Sequence, residues 1–484
     1  MLARFTVLVV LASLVLAATV QAAAPGGGSD WPSYGHDLAN SRSSPQAGAI
    51  TVRSVPRLRI AWAARGQGLD ATGNAAFVTA TAAVQGRLAV WGDWRGDVHA
   101  VDVRSGAVRW IAHLGGPQYL AQINSSATIA GNRVFVSTGT GHVVALDRAT
   151  GLQVWSTLVD DTPATNLYSS PTVVGSTVLI GVASVQLALP LPKYTFHGSV
   201  IGLDARSGEI RWRTWVQRPG IDGPGGSVWS TAAADPGLGL LYIGTGQAYE
   251  QPAGPRTDSL LALRIRDGRV RWLRQFTSGD AFNFFDQVGG RDYDIGASPN
   301  VFDVHGRRRV VGVGDKGGHY AVFDAATGAL VWRRRLCPGS HLGGIMTTAA
   351  VANGSIWATC NRLQNKNELA DAANRTSIVR LDAATGRTRW VRTAPGGTAG
   401  AVTEAGGAVF VPNTLGTVRA FDERTGQLLW EVRPGGAGLS IDHGVAGGIA
   451  VAADRVLVPY GYTFIASPSI PKDAIGGLVA YALR

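Results

Sequence analysis

The stretch Asp204-Ala-Arg-Ser-Gly-Glu-Ile-Arg-Trp212 decides the fold, because its pattern recurs along the chain. The pattern is an aspartate, two variable residues, serine or threonine, glycine, three variable residues and a tryptophan. A degenerate copy, at residues 264–272, has Arg264 in place of the aspartate. The other copies are Asp102–Trp110, Asp147–Trp155, Asp324–Trp332, Asp382–Trp390 and Asp422–Trp430. Successive tryptophans are 45, 57, 60, 60, 58 and 40 residues apart, which is typical of a repeat protein.

Each copy is flanked by segments in which apolar residues alternate with other residues. Before Trp155, residues 133–137 and 142–146 are two such segments, and a glycine-containing turn separates them. This alternation with Asp and Gly turns predicts antiparallel strands joined by hairpins. Four strands in each unit predict a propeller blade. We expect the repeat tryptophans to wedge between neighbouring blades rather than to bind a ligand.

The two ends of the sequence predict an eighth blade. Residues 476–484 form the strand that should precede a turn, and residues 57–62 form the strand that should follow it. Trp62 precedes Trp110 by 48 residues, which fits the repeat. A ring closed in this way removes two exposed sheet edges. The predicted fold class is therefore all-β: an eight-bladed β-propeller of four-stranded antiparallel blades, in which N- and C-terminal strands share one blade.

The composition excludes several classes of protein. Of the 484 residues, 45% are hydrophobic and only 16% are charged, which excludes intrinsic disorder and a coiled coil. The net charge of +11 comes from scattered arginines, and it does not predict a nucleic-acid partner. The two cysteines, Cys337 and Cys360, are too far apart in sequence to form the Cys-x-x-Cys-His motif of a covalently attached haem.

The first segment predicts export. Residues 1–22 contain one early cation, Arg4, then an apolar run, then Val20 and Ala22 at positions that suit signal-peptide cleavage. The alternative is an uncleaved anchor. Because no cysteine lies near the cleavage site, a lipoprotein anchor is not expected. We expect a secreted or periplasmic protein without a membrane anchor. Residues 23–50 would form an N-terminal extension, and residues 51–484 would form the single propeller.

An oxidising compartment would permit a disulfide between the two cysteines, Cys337 and Cys360. Two buried free thiols are the alternative.

The tryptophan-terminated repeat resembles that of the pyrroloquinoline quinone (PQQ) alcohol dehydrogenases, most closely their polyvinyl-alcohol dehydrogenase branch. The resemblance covers nearly all of residues 29–484 and includes segments outside the repeat. These segments are Trp31-Pro-Ser-Tyr-Gly-His-Asp-Leu-Ala-Asn-Ser-Arg42, Gly92-Asp-Trp-Arg-Gly96, Gly225-Gly-Ser-Val-Trp229, Leu241-Tyr-Ile-Gly-Thr-Gly246, Arg291-Asp-Tyr-Asp-Ile-Gly-Ala-Ser-Pro299, Gly314-Asp-Lys-Gly-Gly-His-Tyr320 and Leu342-Gly-Gly-Ile345.

The resemblance implies roles for four residues. In that family a flat quinone lies on an aromatic floor, a calcium ion polarises it, and a carboxylate removes the alcohol proton. By resemblance Asp292 is the catalytic base, while Trp229, Lys316 and Asp294 contact the cofactor. Without the resemblance, each residue also has a purely structural interpretation. The two aspartates could cap a loop, Trp229 could pack in the core, and Lys316 could be a solvated surface lysine.

Two positions depart from the family pattern. The resemblance places the calcium site at Gln186, Gln247 and Asp292, where relatives have glutamate and asparagine at the first two positions. Glutamine in place of glutamate removes a negative charge, so we expect a weakened calcium site. The adjacent-cysteine disulfide found over the quinone in some relatives is also absent from the sequence.

The propeller fold alone does not define an activity, because propellers have many functions. We therefore consider two hypotheses. The first is an exported PQQ-dependent dehydrogenase that oxidises a secondary or polymeric alcohol and passes electrons to an external acceptor such as a cytochrome c. The second is a non-catalytic propeller that binds proteins or glycans. The sequence retains the base Asp292, the aromatic floor Trp229 and the cation Lys316 together, which favours the first hypothesis. The loops at 186–197, 248–257 and 274–290 should shape the axial mouth, but they carry no recognisable substrate motif.

Overall fold

A computed structural model of the chain describes most of the predicted propeller. The described residues are 30–44, 47–67, 75–116, 122–285, 290–306, 308–365, 369–434, 444–461 and 475–483. The predicted signal peptide at residues 1–22 lies outside them. Within these ranges the chain forms eight antiparallel sheets and two short 3-10 helices, Val55–Arg57 and Gln186–Ala188. None of the helices in these ranges is long and apolar enough to cross a membrane.

Each sheet is one blade, and blades are numbered here in chain order from the first repeat. The strands of the first four blades are Ala83–Gln85, Leu88–Gly92, Asp97–Asp102 and Val108–His113 in blade 1; Thr128–Ala130, Arg133–Ser137, His142–Asp147 and Gln153–Leu158 in blade 2; Thr172–Val174, Thr177–Val182, Ser199–Asp204 and Ile210–Trp215 in blade 3; and Ala233–Asp235, Leu240–Gly244, Ser259–Arg264 and Val270–Gln275 in blade 4.

The other four blades repeat this arrangement. Their strands are Asn300–Val304, Arg308–Gly314, His319–Asp324 and Leu330–Arg335 in blade 5; Ala350–Ala352, Ser355–Arg362, Arg375–Asp382 and Thr388–Pro395 in blade 6; Thr403–Ala405, Ala408–Pro412, Val418–Asp422 and Leu428–Val432 in blade 7; and Ala450–Ala452, Arg455–Tyr460, Ile475–Leu483 and Leu58–Gln67 in blade 8. A further short strand, Ser43–Ser44, pairs in parallel with the first strand of blade 7.

The ring closes as the sequence predicts. The first strand of each blade contacts the first strand of the next, from blade 1 to blade 8 and back to blade 1. Blade 8 joins the two ends of the described chain, because Leu58–Gln67 pairs antiparallel with Ile475–Leu483. The predicted all-β, eight-bladed fold with a shared terminal blade is confirmed.

The repeat tryptophans join neighbouring blades, as predicted. The indole Nε1 of Trp110, for example, donates to the carbonyl of Arg148 in blade 2 at 3.0 Å. Five other repeat tryptophans and Trp62 make the same bond to the next blade: Trp62 to Val103, Trp155 to Ala205, Trp212 to Ile265, Trp272 to Ala325, Trp332 to Ala383 and Trp390 to Glu423. The degenerate copy keeps this contact because Trp272 remains, although Arg264 replaces the turn aspartate.

The glycine of the repeat is required for two reasons. Gly268 has a φ of +68°, which favours glycine, and a Cβ there would lie 2.3 Å from the ring of Trp212. Gly268→Ala should therefore lower the free energy of unfolding through both backbone strain and overpacking. Gly239→Ala is the matched control, because Gly239 has a φ of +66° and open space around its Cβ position. We expect Gly268→Ala to cost about 1–3 kcal/mol more than the control in chemical denaturation. Equal losses would show that the tryptophan contact contributes nothing.

The N-terminal segment at residues 31–42 runs across one end of the ring. Its backbone carbonyls accept N–H bonds from blades or inter-blade segments; the donors are Ile129, Ala234, Val301, Val351 and Glu404. At its end Arg42 is fully buried, and its guanidinium donates to the carbonyls of Val402 at 3.2 Å and Ile449 at 2.9 Å. Burial lowers the pKa of Arg42 to about 10. The segment thus ties separate blades together near the axis.

Cys337 and Cys360 form a disulfide in the structure, with their Cα atoms 6.0 Å apart. The bond links the segment after blade 5 to the second strand of blade 6. The first of the two alternatives for the cysteines is therefore the one observed.

Candidate active site

A cavity of about 540 Å³ lies around the axis of the propeller. Segments from all around the ring contribute to its wall, and the N-terminal segment contributes Tyr34. The wall brings together five of the residues singled out in the sequence: Trp229, Gln247, Asp292, Asp294 and Lys316. Trp229 lies in the segment between blades 3 and 4, and the two aspartates lie in the segment between blades 4 and 5. Gln247 and Lys316 lie in the loops between the second and third strands of blades 4 and 5, so the fold unites positions that are far apart in sequence.

Trp229 lies flat on the backbone of Gly296. A Cβ at Gly296 would lie only 1.8 Å from the indole ring, so only glycine permits this arrangement. The indole Nε1 donates to Oδ2 of Asp294 at 2.9 Å, which fixes the ring plane. Trp229 remains partly exposed and lines the cavity. The arrangement gives the cavity a fixed aromatic surface.

Lys316 holds the two aspartates together. Its ammonium lies 2.9 Å from Oδ1 of Asp292, 3.1 Å from Oδ2 of Asp294 and 5.5 Å from the ring centroid of Trp229. Burial disfavours the charged ammonium, but the two carboxylates outweigh it and raise the pKa of Lys316. The cation therefore stays protonated at every physiological pH.

Asp292 is a buried carboxyl in an unusual electrostatic position. Burial raises its pKa well above the ordinary value, Lys316 opposes that effect, and Asp294 and Asp280 add to it. A carboxylate that resists ionisation is a stronger proton acceptor when it is ionised. Asp292 can therefore accept a proton from a group that enters the cavity.

Asp280 supports the backbone around Asp292, a role that no sequence pattern predicts. Its carboxylate accepts backbone N–H bonds from Arg291 at 2.7 Å, Asp292 at 3.3 Å and Tyr293 at 2.9 Å. Asp292 itself has a φ of +55°, a conformation that non-glycine residues rarely adopt. Asp280 therefore holds Asp292 in place from behind. A lone aspartate in a loop twelve residues earlier gives no sequence pattern by which to recognise this role.

We expect Asp280→Ala to lower about 100-fold any turnover that depends on Asp292, because even a small displacement of that residue misplaces its carboxylate. Asp280→Asn should retain more activity than the alanine variant, since its amide oxygen can still accept the N–H bonds of Arg291 and Asp292, although the bond from Tyr293 is lost. Turnover and KM of both variants should be measured with cofactor present. Equal losses in the two variants would show that the charge of Asp280, rather than its hydrogen bonds, is required.

A fourth acidic residue, Asp258, interacts electrostatically with Asp280, Asp292 and Asp294. No sequence pattern predicts its place in the site. Neither of its carboxyl oxygens has a hydrogen-bond partner among the described residues, and the residue is fully buried. Burial raises its pKa well above the ordinary value, and the charges of Asp294, Asp280 and Asp292 add to that effect. Burial and the neighbouring carboxylates therefore favour the protonated form of Asp258.

The two glutamines differ in how they face the cavity. Gln247 lines it, and its Nε2 donates to the carbonyl of Phe282 at 3.2 Å. Gln186 is turned away: its Nε2 donates to the carbonyl of Pro163, and its Oε1 accepts N–H bonds from Thr195 at 2.9 Å and Phe196 at 3.1 Å. Both ends of the Gln186 amide are thus already engaged.

Comparison with known proteins gives the family. Residues 31–340 match the family model described as "Glucose/ethanol/alcohol dehydrogenase, beta-propeller domain", and the chain belongs to this family. Residues 316–481 also match the model described as "Outer membrane protein assembly factor BamB".

Individual relatives agree with the family match. The chain is 28% identical to a polyvinylalcohol dehydrogenase of Pseudomonas sp, over 89% of this chain and 73% of the relative. It is 28% identical to a polyvinylalcohol dehydrogenase of Sphingopyxis sp. (strain 113P3), over 93% of this chain and 75% of the relative. The predicted resemblance and the assignment to the alcohol dehydrogenase class of oxidoreductases are confirmed.

Solved structures share the fold. A quinohemoprotein alcohol dehydrogenase from Pseudomonas putida HK5 has a TM-score of 0.77 at 20% identity, covering 94% of this chain and 80% of its own. The BamB protein of Moraxella catarrhalis has a TM-score of 0.57 at 16% identity, covering 88% of this chain and 99% of its own.

Proposed function

We propose that this chain is an exported, PQQ-dependent dehydrogenase that oxidises a secondary or polymeric alcohol. The observation that carries the proposal is the meeting of Asp292, Lys316 and Trp229 at one axial cavity. Packing alone gives no reason for a buried base, a buried cation and a flat aromatic surface to line the same space.

The size and lining of the cavity are compatible with a flat quinone cofactor. Its volume of about 540 Å³ suits a small tricyclic molecule, and the Gly296 backbone lets the Trp229 ring lie as a floor beneath it. Lys316 would face the quinone oxygens as a hydrogen-bond donor. When bound, the quinone supplies the acceptor for the two electrons taken from the alcohol.

The residues of the chain would handle the proton. Asp292 would accept the proton of the substrate hydroxyl, and Asp280 would keep its carboxylate in position. Lys316 would offset the negative charge of Asp292 and Asp294 throughout. Trp229 and Asp294 would fix the plane on which cofactor and substrate meet.

A calcium ion is part of the proposal, with Asp292 and Gln247 as cavity-lining ligands. Gln186 fits such a site less well, because its carbonyl oxygen already accepts two backbone N–H bonds. To bind a cation it would have to give up those bonds. This supports the expectation of weak calcium affinity.

Substrate, export and electron acceptor are proposed from different observations. The relatives named polyvinylalcohol dehydrogenase support a secondary or polymeric alcohol. The signal-like residues 1–22 and the disulfide Cys337–Cys360 support a secreted or periplasmic location. Electrons would leave to a separate acceptor such as a cytochrome c.

Calorimetric titration of the purified protein with PQQ, with and without millimolar calcium, tests the proposal. Saturable binding that calcium strengthens is expected. A folded protein that fails to bind PQQ at high concentration would sink the dehydrogenase proposal.

A non-catalytic platform that binds proteins or glycans is the second candidate. The match of residues 316–481 to the BamB model and the engaged amide of Gln186 favour it. It predicts no PQQ binding, so the same titration separates the two functions.

A further inference from the structure

Two consecutive phenylalanines, both exposed, line the cavity. Phe284 is 48% exposed and Phe285 is 52% exposed, and both line the cavity. Within the described part of the chain, they are the only aromatic residues among the large hydrophobic side chains that are exposed. Exposed apolar groups that adjoin a cavity mark a binding surface. With His341, which also lines the cavity, they are called here the aromatic mouth.

The backbone holds the aromatic mouth in place. The N–H of Phe284 donates to the carbonyl of Leu187 at 3.1 Å, and the N–H of Phe285 donates to Oδ1 of Asn283 at 2.9 Å. Asn283 is buried, and its Nδ2 donates to the carbonyl of Tyr249 at 3.1 Å. The two phenylalanines are therefore exposed on a backbone that is hydrogen-bonded to neighbouring segments of the propeller.

Two rings of the aromatic mouth, those of Phe284 and His341, contact each other. The centroid of Phe284 lies 5.9 Å from that of His341. Phe282 supports both from behind, at 5.3 Å from Phe284 and 5.8 Å from His341. Such edge and stacked contacts fix ring orientations, which lowers the entropy cost of binding a ligand.

The cavity wall has further apolar side chains: Leu187, Leu342, Met346 and Leu369. The charged groups Asp292, Asp294 and Lys316 line the same cavity. An alcohol in this space could place its hydroxyl at the charged groups and its hydrocarbon portion against the apolar side chains.

We propose that the aromatic mouth binds the hydrocarbon part of the alcohol whose hydroxyl reaches Asp292, and that it sets a preference for long over short alcohols. This inference rests on the proposed function and deepens it. Phe284 and Phe285 are its specificity-determining residues, and neither takes part in the proton transfer.

The double variant Phe284→Ala/Phe285→Ala tests the proposal. With PQQ and an artificial electron acceptor, the parent should have a higher kcat/KM for octan-2-ol than for propan-2-ol. The ratio of these two values should fall about tenfold or more in the variant, because apolar pocket contacts discriminate on that scale. Leu428→Ala is the matched control, since Leu428 is 49% exposed on the last strand of blade 7 and outside the cavity wall. An unchanged ratio in the double variant overturns the proposal.

A second measurement separates this inference from the dehydrogenase proposal. Nile red, a neutral apolar dye, should bind the PQQ-free protein, and octan-2-ol should displace it. The double variant should bind the dye at least fivefold more weakly than the Leu428→Ala control. If the protein fails to bind PQQ, the dehydrogenase proposal fails and this dye measurement alone decides the aromatic mouth. Equal dye affinity in both variants then overturns it.

Discussion

Asp292→Asn is expected to lower turnover by about 10²–10⁴-fold, the range typical of a lost general base. Asparagine keeps the size of the side chain and an oxygen that can accept the bond from Lys316, which lies 2.9 Å from Asp292. It cannot accept the substrate proton. Cofactor binding should therefore change far less than turnover. The measurement is the rate with saturating PQQ and an artificial electron acceptor, alongside a PQQ titration.

Asp294→Asn is the matched comparison. Asp294 contacts the same ammonium at 3.1 Å, but it also fixes the indole of Trp229 and accepts the N–H of Gln247. We expect this variant to weaken PQQ binding more than it lowers turnover at saturation. Turnover of Asp292→Asn within tenfold of the parent would show that another group accepts the proton.

The fold could be predicted from sequence because its pattern is local and repeated. Each copy of the repeat contains its own turn and its own tryptophan, and the structure shows the same contact to the next blade at each position from Trp62 to Trp390. The shared terminal blade followed from counting strands at both ends. Closure of the ring needs no long-range information beyond that count.

The site could be predicted only in part. The resemblance located Asp292, Lys316 and Trp229 because they lie in distinctive non-repeat segments, and the structure places all three at the cavity. Asp280 acts through backbone N–H bonds, which leave no side-chain pattern in the sequence. Asp258 and the side-chain direction of Gln186 depend on how loops from separate blades pack, which no spacing in the sequence encodes.

Lys316→Met is expected to lower the free energy of unfolding by about 3–5 kcal/mol, the cost typical of removing one partner from a buried ion pair. Asp292 and Asp294 would lose the cation that both contact, in a region that also contains Asp280 and Asp258. Lys193→Met is the control, because Lys193 is exposed. We expect that change to stay within about 0.5 kcal/mol of the parent. Chemical denaturation of both variants provides the comparison.

Adding Asp292→Asn to Lys316→Met completes a double-mutant cycle that isolates the interaction between the two side chains. If Asp292 is ionised in the parent, the second change removes an uncompensated buried charge and should restore part of the lost stability. If Asp292 is already neutral, the two losses should simply add. Additive losses would contradict the assignment of Asp292 as an ionised base held beside Lys316. Restored stability would instead show that the ammonium keeps a carboxylate charged where burial alone would neutralise it, which is the condition a proton acceptor at this position requires.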